Sequence, residues 1–200
     1  MNIVCVVLAG GEGRRMGGGK PLQRFGDGTL LERALALASG YAAEVAVAVR
    51  DPAQIGEAGA RAIQDDPAID GPLGGAAAAL AYARDRGADA VLTLPCDAPR
   101  LPHDLAARLA AALAGAPGAG AAVAASGGQA HPVCALWRVG CLEALAGYAG
   151  AGRRSLMGFA ESCAAVTVDW DAGPPDPFAG ANTPEELAAL LPRPQDPRPG

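Results

Sequence analysis

No apolar run in the sequence approaches the roughly 20 residues that a membrane-spanning helix needs, and the N-terminus has neither the basic n-region nor the small-residue cleavage site of a secretory signal. The chain is therefore expected to be cytoplasmic, with no membrane partner. Its five cysteines, Cys5, Cys96, Cys134, Cys141 and Cys163, are odd in number, scattered and without Cys-x-x-Cys spacing, which argues against both a disulfide framework and a zinc site. Aromatic residues make up only 4% while half the chain is hydrophobic, much of it Ala, a helix-rich globular composition. The formal net charge of −5 argues against nucleic-acid binding by the surface as a whole. No Ser/His/Asp or Cys/His constellation for nucleophilic catalysis is visible. The 200 residues suit one domain or two tightly joined halves, with a core large enough to stay folded without disulfides.

What the chain does have is concentrated at its start. The apolar run Ile3-Val4-Cys5-Val6-Val7-Leu8 leads into Leu8 to Lys20, a stretch with six glycines and three cations, Arg14, Arg15 and Lys20. From Gly11 to Arg24 four basic residues stand against Glu12 alone, a local balance of about +3 on an acidic protein, which suits a small polyanion held in a cleft. A buried strand that empties into a glycine-rich, basic loop delivers backbone N–H groups and positive charge to a phosphorylated ligand.

Downstream, strand, loop and helix repeat. Residues 29–39 read as a helix with Asp27 or Thr29 as N-cap, 44–49 as a strand, 52–59 as a short helix or turn, and 62–64 as a weak strand ending at Asp65-Asp66-Pro67. Gly71-Pro72-Leu73-Gly74-Gly75 opens an Ala-rich helix that ends near Gly87. Residues 90–94 form the next strand, closed by Pro95-Cys96-Asp97-Ala98-Pro99, and a helix over 102–115 places Pro102 where its missing N–H costs little. Successive βα units predict a parallel sheet covered on both faces, with its site at the carboxyl ends of the strands. Later come strands at 121–125 and 133–137 joined by a loop over 126–132, helices at 139–148 and 155–162, and a strand at 164–168. Thr183, Pro184 and Glu186 predict a capping box on a last helix, and the Pro-rich tail over 192–200 is expected to be disordered.

Two familiar phosphate loops are excluded by position. A Walker loop would need Gly at 14 and a hydroxyl at 21, where the chain has Arg14 and Pro21; a dinucleotide fingerprint from Gly11 meets Met16 where its last Gly belongs. What remains, Leu-Ala-Gly-Gly-x-x-x-Arg-Met-Gly-x-x-Lys, resembles the MobA family of molybdenum cofactor guanylyltransferases. So do Asp65 with Gly71 to Gly75, Pro95 to Pro99, His131-Pro132, Arg153-Arg154, and Asn182-Thr183-Pro184-Glu185-Glu186-Leu187, in this order across nearly the full chain.

That resemblance implies an α/β, Rossmann-like three-layer nucleotidyltransferase fold: a mostly parallel sheet, helices on both faces and a small acceptor-side β extension. It implies a single domain over 1–191, with a nucleotide-binding half (1–115) and an acceptor-binding half (116–191). The implied reaction is transfer of GMP from GTP to the terminal phosphate of molybdopterin or Mo-molybdopterin, with pyrophosphate released and Mg²⁺ as cofactor. Proteins that handle the cofactor are further possible partners. Leu8, Ala9, Gly10, Gly11, Lys20, Asp65 and Asp97 would bind GTP. Arg15, Lys20 and Asp97 would be catalytic, with the two cations on the leaving pyrophosphate and α-phosphate and Asp97 on the metal.

Asp65 would meet base or ribose; Asp66 is the alternative, and a turn Asp before Pro67 is the purely structural reading. His131 would bond a phosphate or organise its loop. Arg153 and Arg154 would meet the acceptor or simply be surface, and Asn182 would touch acceptor or metal-bound water unless it serves the helix start. The chain departs from the family pattern at Gly19, where Asp often precedes the lysine, at Ala48 or Val49, where Asn is frequent, and at Gly180, the usual first Asn of Asn-x-Asn-Thr-Pro. Two other readings follow: a cytidylyltransferase of the same pathway, and a GTP-binding accessory protein with impaired catalysis.

Overall fold

The computed structural model describes residues 1–11, 19–56, 59–174 and 176–191. Arg14, Arg15 and the tail over 192–200 lie outside the described residues.

Strand β1 (Ile3–Leu8) is the centre of the fold because both its faces are apolar: Val4 and Val6 point to one layer of helices, Cys5 and Val7 to the other. It pairs in parallel with β4 (Val45–Val49) and β6 (Ala90–Pro95), and β4 with β5 (Arg61–Gln64). Strands buried on both faces read as unbroken apolar runs, as β1 and β4 do and as β6 does apart from Thr93, whereas the edge strand β5 is exposed at both ends. On the far side, β8 (Gln129–Arg138) runs antiparallel to both β6 and β7 (Ala121–Ser126), and β7 pairs in parallel with β9 (Val166–Trp170). These later strands thus extend one seven-stranded sheet, ordered β5-β4-β1-β6-β8-β7-β9. A miniature hairpin, β2 (Arg24–Phe25) with β3 (Gly28–Thr29), stands apart and was not foreseen in the sequence.

Helices α1 (Leu30–Tyr41), α3 (Leu105–Gly115) and α6 (Pro184–Leu190) cover one face; α2 (Pro72–Asp85), α4 (Cys141–Gly150) and α5 (Leu156–Ser162) cover the other. Helix α1 carries a full capping box, Thr29 Oγ1 accepting from Glu32 N–H and Glu32 Oε2 from Thr29 N–H at 2.7 Å. The buried hydroxyl of Thr93 is satisfied: it donates to Ala135 O and accepts from Trp137 Nε1 at 3.0 Å. Trp137 stacks on Phe159 beneath α5.

Several expected boundaries move. The loop over 126–132 is a tight turn at Gly127-Gly128, both at positive φ (55° and 78°), so His131 and Pro132 belong to β8. Pro132 is tolerated there because the register slips, Val123 pairing with Ala135 but Ala124 with His131, and the bulged residue needs no ladder donor. Helix α3 starts at Leu105 rather than at Pro102; the Asp104 carboxylate accepts from Trp170 Nε1 (2.9 Å) and does not cap its own helix. Helix α4 lies two residues later than expected, and so does β9, after Ala164 at φ 52° has ended the α5 turn. The predicted box on α6 is only half formed: Thr183 Oγ1 accepts from Glu186 N–H, but Glu186 Oε2 reaches past it to Asn182 N–H at 2.6 Å.

Candidate functional site

Parallel pairing brings the carboxyl ends of β5, β4, β1 and β6 to one edge. Leu8 is in register with both Ala48 and Pro95, and Val49 with Gln64. The next residues along each strand therefore converge: Arg50 and Asp65 lie one position beyond their pair, Gly10 and Asp97 two beyond theirs. They line a cleft of about 270 Å³, near the lower end of the roughly 300 Å³ at which small-molecule sites begin. Of the residues expected to bind nucleotide, Leu8, Ala9, Gly10, Gly11, Lys20, Asp65 and Asp97 all line it. Arg50, Pro21, Cys96 and Val133 line it too, and the sequence analysis had missed them.

The glycines here are spatial requirements. A Cβ on Gly10 would sit 2.1 Å from Asp65 Oδ2 and 3.4 Å from Arg50 N, so glycine lets the β1 loop pass with the carboxylate where it stands. A Cβ on Gly74 would lie 2.4 Å from Ile69 O, and one on Gly75 would lie 3.3 Å from Leu8 Cδ2. These two residues let the first turn of α2 dock against the Asp65-Asp66 corner, where Asp66 N–H donates to Gly74 O at 3.2 Å. Gly71, Pro72 and Gly75 line the cleft, so the N-terminal end of α2, with its partial positive charge, borders the ligand space.

Asp65 is held by its backbone, N–H to Val49 O at 2.8 Å, while its Oδ1 is buried with no hydrogen-bond partner among the described residues. Burial raises its pKa, and Arg50 beside it opposes the rise. A buried carboxylate oxygen without a partner, on a residue that lines the cleft, is an acceptor short of a donor. Asp66 instead turns back to accept from Ala68 N–H at 2.9 Å, an Asx turn that occupies it locally.

Lys20 reaches across the cleft. Its Nζ donates to Asp97 Oδ2 as an ion pair and to Asn182 Oδ1 at 2.9 Å. Gly19 before it sits at φ 59°, a left-handed conformation that glycine adopts without penalty, which gives the departure from Asp at this position a backbone reason. The Asp97 loop is fixed from α1, Arg33 Nε donating to Pro99 O (2.8 Å) and Tyr41 Oη to Pro102 O (2.7 Å), and by Ala181 N–H to Asp97 O at 3.1 Å. Gly180 packs against the carboxylate: a Cβ there would lie 3.2 Å from Asp97 Oδ1. Burial, with the Asp97 charge adding to it, pushes the neighbouring Cys96 thiol up to about 12, so it stays protonated. Ala48 faces α2 in the core and Val49 the opposite layer, so neither offers a polar group to the cleft.

The remaining candidates stand elsewhere. His131 Nε2 meets Ser126 Oγ at 2.7 Å, Ser126 Oγ meets both carboxylate oxygens of Asp176 (3.0 and 2.9 Å), and the His131 ring stacks on Phe178 at 4.8 Å. This network ties the loop carrying Gly180 and Asn182 to the ends of β7 and β8, the loop-organising alternative for His131. Burial lowers the His131 pKa, and Asp176 works against that. Arg153 stacks over the Tyr148 ring at 4.2 Å, and Arg154 donates to Ala149 O at 2.7 Å at the end of α4. Both make local contacts, are exposed, and lie outside the lining of the cleft.

Comparison with known proteins places this geometry. Residues 5–169 match the MobA-like NTP transferase domain. The chain is 41% identical over 192 residues to a molybdenum cofactor guanylyltransferase of Cereibacter sphaeroides, covering 94% of this chain and 95% of that one. It is 40% identical over 190 residues to the Rhodobacter capsulatus enzyme of the same name, covering 94% of each. Among solved structures, molybdopterin-guanine dinucleotide biosynthesis protein A from Archaeoglobus fulgidus superposes with a TM-score of 0.72 at 22% identity, over 94% of this chain and 96% of that one, a likeness of fold. With the family model spanning most of its length and relatives near 40% identity over almost all of it, the chain belongs to the MobA-like nucleotidyltransferase family, among the molybdenum cofactor guanylyltransferases.

Proposed function

We propose that the protein transfers GMP from GTP to the terminal phosphate of molybdopterin or its molybdenum-bound form, releasing pyrophosphate. The observation that carries this reading is the convergence, in one strand-end cleft, of the Lys20–Asp97 pair with the glycine-bounded Asp65 carboxylate. Family membership and the names of the relatives support it. Gly10 and Gly11 expose backbone at the cleft wall, where N–H groups can approach a triphosphate. The unpaired Oδ1 of Asp65 suits the N–H donors of a guanine edge, which a carboxylate accepts in pairs.

The terminal phosphate of the acceptor, with a second pKa of about 6, is already largely ionised near neutral pH, so no general base is required. The residues act by positioning and by neutralising charge. Lys20 is poised to exchange its carboxylate partner for the α-phosphate or pyrophosphate oxygens, and Arg15 is assigned the same duty from outside the described residues. Asp97 suits Mg²⁺: one partly exposed carboxylate, with Oδ1 beside the gap left by Gly180, joined by phosphate oxygens and waters, is the usual style for that ion. When bound there, Mg²⁺ would supply further neutralisation of the phosphate charge that builds during displacement.

The test is GMP transfer to molybdopterin with GTP and CTP offered side by side. GTP-dependent product that disappears in Asp97→Ala, while circular dichroism and GTP binding persist, supports the reading. Preferential use of CTP would replace guanine by cytosine, and nucleotide binding without pyrophosphate release would make the protein an accessory one.

A further inference from the structure

Cys5 and Cys134 are sealed between the sheet and its helices, and Cys96 lies buried beside Asp97 at the cleft. Cys141 and Cys163 are placed differently. Cys141 is the first residue of α4 and Cys163 directly follows α5, and both return to Gly120 at the start of β7. The Cys141 thiol donates to Gly120 O at 3.1 Å, and Gly120 N–H donates to Cys163 O at 2.7 Å, so both cysteines close on the same residue. A Cβ on Gly120 would fall 2.7 Å from Cys141 Sγ and 3.1 Å from Cys163 Cβ. Gly120 is not among the residues at positive φ, so the backbone does not demand glycine there. What its missing side chain does is leave room for the Cys141 sulfur beside the Cys163 backbone, whose O would lie 2.9 Å and Cβ 3.1 Å from a Cβ there.

The two thiols are also unequal. Cys141 is 6% exposed, whereas Cys163 is partly open to solvent. The proximity of Cys141 holds Cys163 below the ordinary thiol range against its own desolvation, while Cys163 beside it and burial keep Cys141 protonated. One is suited to meet an oxidant, the other to resolve it.

We propose that Cys141 and Cys163 form an oxidisable thiol pair, which hydroperoxides convert to an intramolecular disulfide joining the start of α4 to the end of α5. The Cys163 thiolate attacks a peroxide oxygen; the O–O bond breaks, and the departing hydroxide takes a proton to leave as water, or as an alcohol from an alkyl hydroperoxide. Cys163 is now a sulfenic acid. Cys141 sulfur then attacks Cys163 sulfur, the S–O bond breaks, and the leaving hydroxide carries away the Cys141 proton as a second water. Two thiols are oxidised by two electrons and one peroxide is reduced. A dithiol reductant reverses the change by exchange. The site shares no residue with the nucleotide cleft, so it does not depend on the proposed transfer reaction.

The experiment treats the reduced full-length protein with a small excess of hydrogen peroxide and follows intact mass, thiol titre in denaturant and peptide mapping. The expected product is lighter by about 2 Da, the loss of two hydrogens on disulfide formation. It has two fewer titratable thiols, a Cys141–Cys163 peptide cross-link and monomer-sized chains under non-reducing denaturation, and dithiothreitol restores the mass. Cys5→Ser should behave as wild type. Cys163→Ser should not gain the cross-link, and Cys141→Ser should halt at a sulfenic acid that dimedone traps on Cys163. A wild-type protein that stays fully reduced, a disulfide mapped to another pair, or a dimedone adduct on Cys163 that never resolves while Cys141 is present would overturn the proposal.

Discussion

Lys20 and Asp97 lie 77 positions apart and close an ion pair across the mouth of the cleft, their side chains 15% and 24% exposed, with Asn182 as the second acceptor of the lysine. The carboxylate assigned to metal thus already carries a cation. A divalent ion arriving alone meets an occupied Oδ2 and like charge nearby; arriving with a triphosphate, it brings anionic oxygens that can draw the lysine away.

Replacing Lys20 by Met should therefore split two properties. Affinity of the nucleotide-free protein for Mn²⁺ should rise by about tenfold or more, since removing a unit charge at such a distance outweighs the roughly 1.4 kcal/mol that a factor of ten represents. GMP transfer should fall by about 100-fold or more for want of leaving-group neutralisation. Electron paramagnetic resonance of free Mn²⁺ reads the first and a pyrophosphate assay the second. Unchanged Mn²⁺ affinity would show that the pair does not guard the carboxylate.

Gly10→Ala places a methyl 2.1 Å from where Asp65 Oδ2 now sits. The carboxylate must swing or the loop must retreat, so GTP binding should weaken by roughly 10-fold or more, the scale of losing a hydrogen bond to a charged group. Isothermal titration with GTP checks it, and near-wild-type circular dichroism should confirm a local effect.

The raised pKa of Asp65, caused by burial and opposed by Arg50, makes a statement about stability. Because the folded state holds this proton more tightly than the unfolded chain, its stabilising contribution is complete below the ordinary aspartate value of about 3.9 and is lost as pH rises through the folded value. Asp65→Asn removes that slope. The melting temperature of the variant relative to wild type should therefore increase from acid toward neutral pH; a constant difference would contradict the burial argument.

His131 has the opposite sign. Its folded pKa is lowered by burial, so protonation favours the unfolded chain and stability should decline as pH falls through about 6.5. His131→Gln should flatten the denaturation midpoint between pH 7 and 5. If the wild-type slope survives in the variant, the titrating group lies elsewhere.

The sequence made some of this legible and concealed the rest for identifiable reasons. Asp97 and the loop after β1 stood out because Pro and Gly punctuate the ends of apolar strands, and strand ends are where such sheets place ligands. Arg50 did not, because a cation after a strand reads as ordinary surface until parallel register sets it beside Asp65. Val133 was hidden by the bulge in β8, which displaces it from simple alternation. The Lys20–Asn182 and Ser126–Asp176 contacts join residues far apart in the chain that no local pattern connects. Arg153 and Arg154, a motif-like pair in the sequence, lie away from the cleft, against Tyr148 and the end of α4.

The antiparallel strand β8, threaded between β6 and β7, also bears on how the chain can be made. Until Gln129–Arg138 emerges and pairs, Ala90–Pro95 is the bare margin of a parallel sheet, apolar and free of charge, the kind of edge that recruits other chains. A fragment ending after β6 should therefore aggregate even though it contains β1, β4, β5 and β6, whose carboxyl ends supply most of the cleft lining. During synthesis, the nascent protein would depend on a chaperone, or on speed, until that seam is closed.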